Sequence, residues 1–392
     1  MSSVFGFAII LSSGIAARGN AGILACEFTF TSVSDGLFYV FNGNTGRQGR
    51  PPHQVLGIHF RFSGILAIDD RDFAVAFSVR ISMAPGRVVP KIGSQYRNKN
   101  TRECARNGIL RIIPMNIAYL NGVHTPLEKA CVSVLDRGFL FGDGVYEVIP
   151  VYGGKGFLLD RHLTRLENSL AATRIENPHT RAQWEALIDG VIRRNGGGNQ
   201  GIYLQVTRGS APRLHAFPKD ISPTVLISSQ PLAIPLDTTP AKVITRSDIR
   251  WERCDIKSTS LIGNVLLRQE STDAGCLETI LVRDGQVKEG AASNVFIVRG
   301  GRVMTPPATP ALLGGVTRKF VIELCATANL PLDETDIPED MLRDADEVWI
   351  TGSLMGILPV IEIDGSPVGI GRPGPFLERI YTLFRRYWQD FT

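Results

Sequence analysis

The chain has 392 residues, 44% of them hydrophobic and 20% charged, with a formal net charge of +4. That length suits two domains with more than one core, and no stretch reaches the ~18–20 uninterrupted apolar residues needed to span a bilayer. The positive balance is local: residues 1–114 carry 13 Lys/Arg against 6 Asp/Glu, while residues 115–392 carry 29 against 32, so the bulk of the chain offers no electrostatic case for nucleic acid.

Residues 1–114 differ in character from the remainder of the chain. Eleven of their thirteen basic residues are Arg, Gly and Ser are frequent, and apolar periodicity is poor. This segment reads as translated upstream sequence ahead of a start at Met115, a non-native or disordered N-terminal extension. Arg bias and scarce acids leave an organelle transit peptide as an alternative. A secretory signal is disfavoured, because the apolar start Phe5–Leu11 has no preceding Lys or Arg. From Met115 an alternating strand runs into an Asn121-Gly122 turn. A helical stretch covers Arg161 to Leu170. Thr180 and Gln183 form a capping box ahead of Trp184, Leu187, Ile188, Val191 and Ile192 at helical spacing, and Gly196 to Gly198 ends that helix. Ile202, Leu204 and Val206 alternate as a strand. Pro231 and Pro235 punctuate a run without periodicity.

Beyond it, Thr279–Arg283 and Gln286–Glu289 read as a hairpin around Asp284-Gly285, and Asn294–Val298 as a strand. Val316, Phe320, Val321, Leu324 and Cys325 form a helical stripe, Glu347–Ile350 a short strand, and Phe376, Ile380, Leu383, Phe384 and Trp388 a final amphipathic helix. The mixture predicts an α/β or α+β fold: a small α/β domain over 115–228, a linker over 229–237 and a larger domain over 238–392. The six cysteines (Cys26, Cys104, Cys131, Cys254, Cys276, Cys325) include no CxxC pair. That spacing suits reduced thiols in a cytoplasmic protein better than a disulfide framework or a zinc site.

Four clusters could carry chemistry. Asp136 to Glu147 interleaves three glycines with aromatics, acids and an Arg, which implies tight turns near a site or a glycine-rich turn with core aromatics. Lys257, in Cys254-Asp255-Ile256-Lys257-Ser258, is either a solvated lysine or a desolvated amine nucleophile. Glu289 enters a run of small residues, Gly290 to Ser293, that is either a turn or a surface a flat ligand can approach. Leu313-Gly314-Gly315-Val316-Thr317-Arg318 opens a helix whose N–H groups can hold an anion, or is simply a helix start. Arg165 on its helix, and Arg213 with His215 in a loop, could clamp a phosphate or a carboxylate. Jointly these are the parts that pyridoxal 5′-phosphate chemistry requires: a lysine, a carboxylate for the pyridine nitrogen, an anion site for the phosphate and a separate carboxylate trap.

The segments DRGFLFGDGVYEVI (136–149), RHLTRL (161–166), VTRGSAPRLHAFP (206–218), CDIKSTSLIGNVLLRQES (254–271), VKEGAASNVFIV (287–298) and LLGGVTR (312–318) resemble the class IV aminotransferases, and among them the D-amino-acid aminotransferases. The resemblance covers essentially all of 115–392. It implies a two-domain fold type IV architecture with a barrel-like sheet in the larger domain, and pyridoxal 5′-phosphate as cofactor. By the same resemblance, Lys257 is the Schiff-base lysine and Glu289 the partner of the pyridine nitrogen. Arg165, Val316, Thr317 and Ser353 bind the phosphate, and Leu313 backs the ring. Arg213 and His215 trap the substrate carboxylate from the partner subunit of a homodimer. Substrates are then amino acids and 2-oxo acids, D-alanine and 2-oxoglutarate in type. Two departures bear on substrate range: Phe139 stands where a substrate-binding tyrosine is expected, and Ala291 and Ala292 replace serines. The rivals are a branched-chain L-amino-acid aminotransferase, which lacks Pro212-Arg213-Leu214-His215 in this form, an aminodeoxychorismate lyase, and an inactive cofactor-binding homologue.

Overall fold

The computed structural model describes residues 60–62, 79–81, 116–233 and 239–391. The chain divides into two compact units, Met1–Ile113 and Pro114–Thr392. In the first, β1 (Phe60–Phe62) pairs antiparallel with β2 (Val79–Ile81). The expected non-native or disordered extension over 1–114 otherwise falls outside the described residues.

The second unit holds two sheets. The first has six strands: β3 (Ile117–Leu120), β4 (Val123–Pro126), β5 (Gly144–Tyr152), β6 (Lys155–Gly156), β7 (Gln200–Thr207) and β8 (Thr224–Pro231), in the order β4-β3-β8-β7-β5-β6. Every pairing is antiparallel. The expected turn at Asn121-Gly122 is present, with both φ values positive at 47° and 92°, the geometry a two-residue hairpin needs to match strand twist. Three helices accompany this sheet: α1 (Arg137–Phe141), α2 (Leu159–Thr173) and α3 (Arg181–Arg194). The Thr180–Gln183 capping box starts α3 as expected. Leu163, Leu166 and Leu170 of α2, with Trp184, Ile188 and Val191 of α3, lie on one face of each helix. They bury against Val145, Ile149, Ile202, Leu204 and Val206 of the sheet. The aperiodic run read as a linker stays in the sheet through Pro231, which pairs with Gln200; residues 234–238 lie outside the described ones.

The second sheet contains β9 (Ala241–Ser247), β10 (Glu278–Arg283), β11 (Gln286–Gly290), β12 (Asn294–Arg299), β13 (Arg302–Thr305), β14 (Leu332–Glu334), β15 (Glu347–Gly352), β16 (Gly356–Ile363) and β17 (Ser366–Pro367). The order is β11-β10-β9-β16-β15-β12-β13-β14, with β17 on β16. Its helices are α4 (Ile262–Asp273), α5 (Val316–Thr327), α6 (Glu339–Arg343) and α7 (Pro375–Phe391). Parallel pairs β9–β10 and β13–β14 are bridged by α4 and α5, as parallel neighbours require a crossover. The sheet curls into a half-barrel and is buried on both faces. Val295 and Ile297 of β12 join Val348 and Ile350 of β15 in one core. Their alternating neighbours Phe296, Val298 and Trp349 pack with α5 and α7 in another. Two-sided burial explains the continuous apolar runs in these strands. Phe157, from the loop after β6, carries the first sheet into that second core, edge to face with Phe320, Phe384 and Phe391.

Helix α7 is fixed by one side chain. Glu347 on β15 accepts hydrogen bonds from the Phe376 and Leu377 amides at 2.9 and 3.0 Å, and from Trp349 Nε1 at 3.0 Å. A carboxylate at a helix N-terminus satisfies orphan donors and meets the positive end of the helix dipole. Glu347→Ala is expected to lower unfolding free energy by about 1–3 kcal/mol, read from urea denaturation. A loss below about 0.5 kcal/mol would show that α7 docks through its apolar face alone.

Candidate active site

Between the two sheets lies a cavity of about 680 Å³. Strand β5 forms one wall. Its alternation turns Tyr146 and Val148 to the cavity and leaves Val145, Glu147 and Ile149 buried on the other side. Lys257 is stitched to the start of this strand: its carbonyl accepts from the Tyr146 amide at 3.0 Å, Ser258 bridges Val145, and the Thr259 amide donates to Gly144 O at 2.9 Å. Its own amide donates to Ser169 Oγ on α2 at 3.2 Å. Among the described residues no hydrogen bond or ion pair engages Nζ, which lies 4.3 Å from the centroid of the Tyr146 ring.

Opposite stands Glu289, at the end of β11 and 4% exposed. Its carboxylate accepts from Arg250 Nη1 at 2.6 Å, the Leu313 amide at 3.0 Å and Asn294 Nδ2 at 3.1 Å. Arg250 is gripped in turn by Asp248 at 2.9 and 3.1 Å, and Asp248 accepts from Arg283 at 2.8 Å. Signs alternate along this buried series, so each charge taken from water has an opposite neighbour. A third wall is the start of α5. Gly315, its N-cap, supplies no side-chain cap, so the first-turn N–H groups face the cavity with the partial positive charge of a helix N-terminus. A Cβ at Gly315 would fall 2.0 Å from Asn294 Oδ1, which is why glycine stands here. Arg165 lines the same end. Its Nε and Nη2 donate to the two Glu147 oxygens at 2.7 and 2.8 Å, while His162 Nδ1 lies 2.8 Å from Glu147 Oε2. Thr351 Oγ1, also on the wall, is buried with no hydrogen-bond partner among the described residues.

Electrostatics follow from this packing. Part of Lys257 faces the cavity, yet exclusion of water, helped by the Arg165 charge, pushes its amine down to about 8 against the pull of Glu147 and Glu289. Burial pushes Glu289 up to about 7, although Arg250 and the Leu313 amide stabilise its ionised form. Burial also acts to raise Glu147, but the charge and hydrogen bonds of Arg165 and His162 outweigh it and hold the carboxyl at about 2. Glu147 is thus a permanent anion that fixes Arg165.

The site therefore joins an amine with no hydrogen bond or ion pair among the described residues, a buried carboxylate with its donors in place, and a helix end flanked by an arginine. Those three features fit the aldehyde, pyridine nitrogen and phosphate of pyridoxal 5′-phosphate. Seven residues singled out in the sequence line this one cavity: Lys257, Glu289, Arg165, Leu313, Val316, Thr317 and Ser353. Three do not. Arg213 and His215 lie on the exposed loop after β7. Phe139, expected in the position of a substrate-binding tyrosine, is 73% exposed on α1 and points away from the cavity of its own chain. The aromatic hydroxyl at the site is that of Tyr146.

The family described as "Amino-transferase class IV" matches residues 144–363. The chain belongs to this family. A D-alanine aminotransferase of Bacillus licheniformis is 39% identical over 267 residues, 68% of this chain and 94% of the relative. One from Listeria monocytogenes is 37% identical over 66% of this chain and 91% of its own length. Among solved structures, the branched-chain amino acid aminotransferase of Escherichia coli aligns with a TM-score of 0.66 at 27% identity, covering 69% of this chain and 93% of its own. The branched-chain amino acid aminotransferase of Thermobaculum terrenum, solved in its PLP-bound holo form, gives 0.63 at 25% identity, with 70% and 94% covered.

The site of this class IV aminotransferase also contains Tyr146, Glu147, His162, Arg250 and Asn294, none of which had an expected role of its own. The signal for Glu147 was present, since a glutamate within an otherwise apolar strand must be paired when buried. Arg250 carried no such signal, because only the folded loop brings it to Glu289.

The shifted groups predict the pH profile of cofactor-free protein. Between about 4.5 and about 7 the unfolded Glu289 carboxyl loses its proton before the folded one, so stability falls as pH rises. Between about 8 and 10.5 the folded Lys257 amine has released a proton that the unfolded chain still holds, so stability rises with pH. Glu289→Gln is expected to flatten the first limb and Lys257→Met the second, in urea midpoints measured across pH. An alkaline limb unchanged in Lys257→Met would place the amine in bulk solvent.

Proposed function

We propose that the protein is a pyridoxal 5′-phosphate-dependent transaminase that exchanges the amino group of a D-amino acid, of the D-alanine type, for the oxo group of a 2-oxo acid such as 2-oxoglutarate. The observation that carries this reading is one cavity joining the partnerless amine of Lys257 to the buried carboxylate of Glu289. Identity to D-alanine aminotransferases over nearly their whole length supports the substrate class.

The bound coenzyme supplies an electron sink for the carbanion left when the substrate Cα loses its proton. The chain does the rest. Lys257 Nζ would hold the coenzyme, and its amine, poised near neutrality by desolvation, would take up and return the proton at the substrate Cα. Glu289 keeps a proton on the pyridine nitrogen, with Arg250 and Asn294 orienting the carboxylate. Val316 and Thr317 at the helix start, with Arg165 and Ser353, would hold the phosphate, and Leu313 would back the ring. Tyr146, whose phenol burial pushes up to about 12, stays a neutral hydrogen-bond donor beside Lys257 throughout the working range.

Arg213 and His215 serve as the substrate-carboxylate trap of a neighbouring subunit in a homodimer. In their own chain they stand away from the cavity, and exposed apolar side chains, Phe139 and Leu214 together with Ile262 and Leu266 of α4, offer surface for self-association. Residues 115–392 carry the activity: they contain the family match at 144–363 and every residue of the cavity. A cytoplasmic location accords with the free thiols of Cys131, Cys254, Cys276 and Cys325.

With D-alanine and 2-oxoglutarate the expected products are pyruvate and D-glutamate. Turnover of L-leucine with L-glutamate as product would favour the branched-chain reading instead. Lys257→Ala is expected to lose more than about a thousandfold in kcat together with the visible absorbance of the lysine-bound coenzyme; retention of both would refute the assignment. A chain beginning at Met115 is expected to be dimeric and active, and insolubility under conditions where the full chain is soluble would count against that division.

A further inference from the structure

The motif Asp136–Asp143 is absorbed by none of the roles above, although it is dense in glycine, charge and aromatic residues. Gly142 O accepts from Thr259 Oγ1 at 2.9 Å and Ser260 Oγ at 3.0 Å beside Lys257, and the remaining side-chain contacts of the motif lead to the end of β7 and the loop after it. Asp136 caps α1 by accepting from the Gly138 amide at 2.8 Å and also accepts from Thr207 Oγ1 at 3.0 Å. Arg137 is 3% exposed. Its amide donates to Gly209 O at 2.8 Å, its Nη1 to Leu214 O at 2.5 Å and its Nη2 to His215 O at 3.4 Å. Those bonds pin the backbone of the loop at the residues that flank and include the trap.

The guanidinium of Arg137 is itself held by Asp143, at 2.7 Å from Nε. The same carboxylate takes Arg208 in a two-point contact at 2.8 and 2.9 Å, and Arg208 also donates to the Thr173 and Arg174 carbonyls at the end of α2. Arg208 lies 3.7 Å from the centroid of the Phe217 ring, at the far side of the loop. At its near side the Phe141 ring is shared by three groups. The Arg137 guanidinium lies 4.8 Å from its centroid, that of Arg213 lies 5.1 Å away, and the His215 ring centroid is 5.4 Å away. Both trap side chains, exposed on a loop, thus rest on one aromatic ring whose position is set by buried ion pairs. Gly209 closes the arrangement at φ +108°, where a Cβ would strike Ser222 O at 2.1 Å.

We propose that Asp136–Asp143 is a positioning platform that pre-sets Arg213 and His215 for the substrate carboxylate, with the Phe141 ring as their common seat and the Arg137–Asp143–Arg208 cluster as its anchor. The inference rests on the reading of Arg213 and His215 as the carboxylate trap. An Arg and a His left free on an exposed loop would each lose rotamer freedom on binding; the platform takes that loss at folding instead. Phe141 and Asp143 do not line the cavity of their own chain, so their effect runs through KM.

The test uses full-length holoenzyme with D-alanine and 2-oxoglutarate, and compares Phe141→Leu, Phe141→Tyr, Asp143→Asn and Arg213→Ala. Phe141→Leu and Asp143→Asn are expected to raise KM for both substrates about tenfold, with kcat within about threefold of the parent. Affinity for pyridoxal 5′-phosphate is expected to hold in both; the thermal midpoint is expected to hold in Phe141→Leu and to fall in Asp143→Asn, which leaves Arg137 and Arg208 without their shared carboxylate, and Phe141→Tyr is expected to keep the parental KM. Should Asp143→Asn fail to fold, Phe141→Leu decides alone. If Arg213→Ala raises KM but Phe141→Leu does not, the platform is overturned while the trap stands. If Phe141→Leu lowers coenzyme affinity in step with substrate affinity, or Phe141→Tyr behaves like it, the ring serves the fold and the proposal falls. If Arg213→Ala itself leaves KM unchanged, the trap reading fails and takes the platform with it.

Discussion

An ammonium ion without an anionic contact, in a cavity that excludes most water, is held at a disadvantage that its neutral form escapes. Lys257 is placed in that condition by backbone pairing rather than by its own side chain: Tyr146, Ser258 and Thr259 weld the segment to the first strand of the cavity wall. Lowering an amine from 10.5 to about 8 raises its neutral fraction near pH 7 by roughly three hundredfold. The wall of one sheet, the helix packed behind it and the start of the other sheet's crossover all converge to keep that amine where it is. A solvated lysine near 10.5 would be almost wholly protonated at pH 7 and so a much weaker nucleophile.

Around it, every other buried charge is neutralised locally. Arg283, Asp248, Arg250 and Glu289 alternate in sign, and Glu147 serves both Arg165 and His162. Removing one member of such a series leaves an unpaired charge in low dielectric, a larger penalty than the pair is worth intact. The two networks have different tasks. The Glu147 network presents Arg165 to one end of the cavity as a fixed cation. The Arg250 network presents Glu289 to the other end with its orientation set but its proton affinity still near neutrality. One cavity therefore keeps a cationic anchor and a proton-holding carboxylate apart, which a ligand with a phosphate and a ring nitrogen requires.

How far the site could be read from sequence depended on range. Lys257, Glu289 and the Leu313–Thr317 helix start lie in compact local motifs, and the turns at Asn121-Gly122 and Asp284-Gly285 announce their hairpins through residues that tolerate positive φ. Arg250 and Asn294 are ordinary polar residues in the text, and become site residues only because the Asp248–Trp251 loop and β12 fold onto Glu289. Phe139 is the converse case, a residue named from a local motif that its own chain leaves exposed. Glycines, aromatics and an arginine crowd Asp136–Glu147, and linear reading cannot tell which ring faces in. The pleat of β5 decides it, since Tyr146 alternates with buried Val145 and Glu147 and is turned to the cavity, whereas Phe139 sits on a short helix whose outer face meets solvent.

The distribution of these residues over the fold carries a consequence for how the protein can change. Groups that meet the coenzyme sit on strands, at a helix N-terminus and on a segment bonded to a strand, each buried on at least one side. A substitution there disturbs packing or strands a charge. The groups assigned to the substrate carboxylate sit on a loop from Gly209 to Asp220 whose side chains are largely exposed, and only its backbone and one shared ring are held by buried partners. Chemistry and selectivity are thus placed on parts with different mechanical constraints. The loop's tip can vary while Arg137, Asp143 and Arg208 keep its path, so a change of substrate need not unsettle Lys257 or Glu289. The chain's likeness to D-alanine aminotransferases in sequence and to branched-chain aminotransferases in structure shows that one scaffold carries more than one substrate preference.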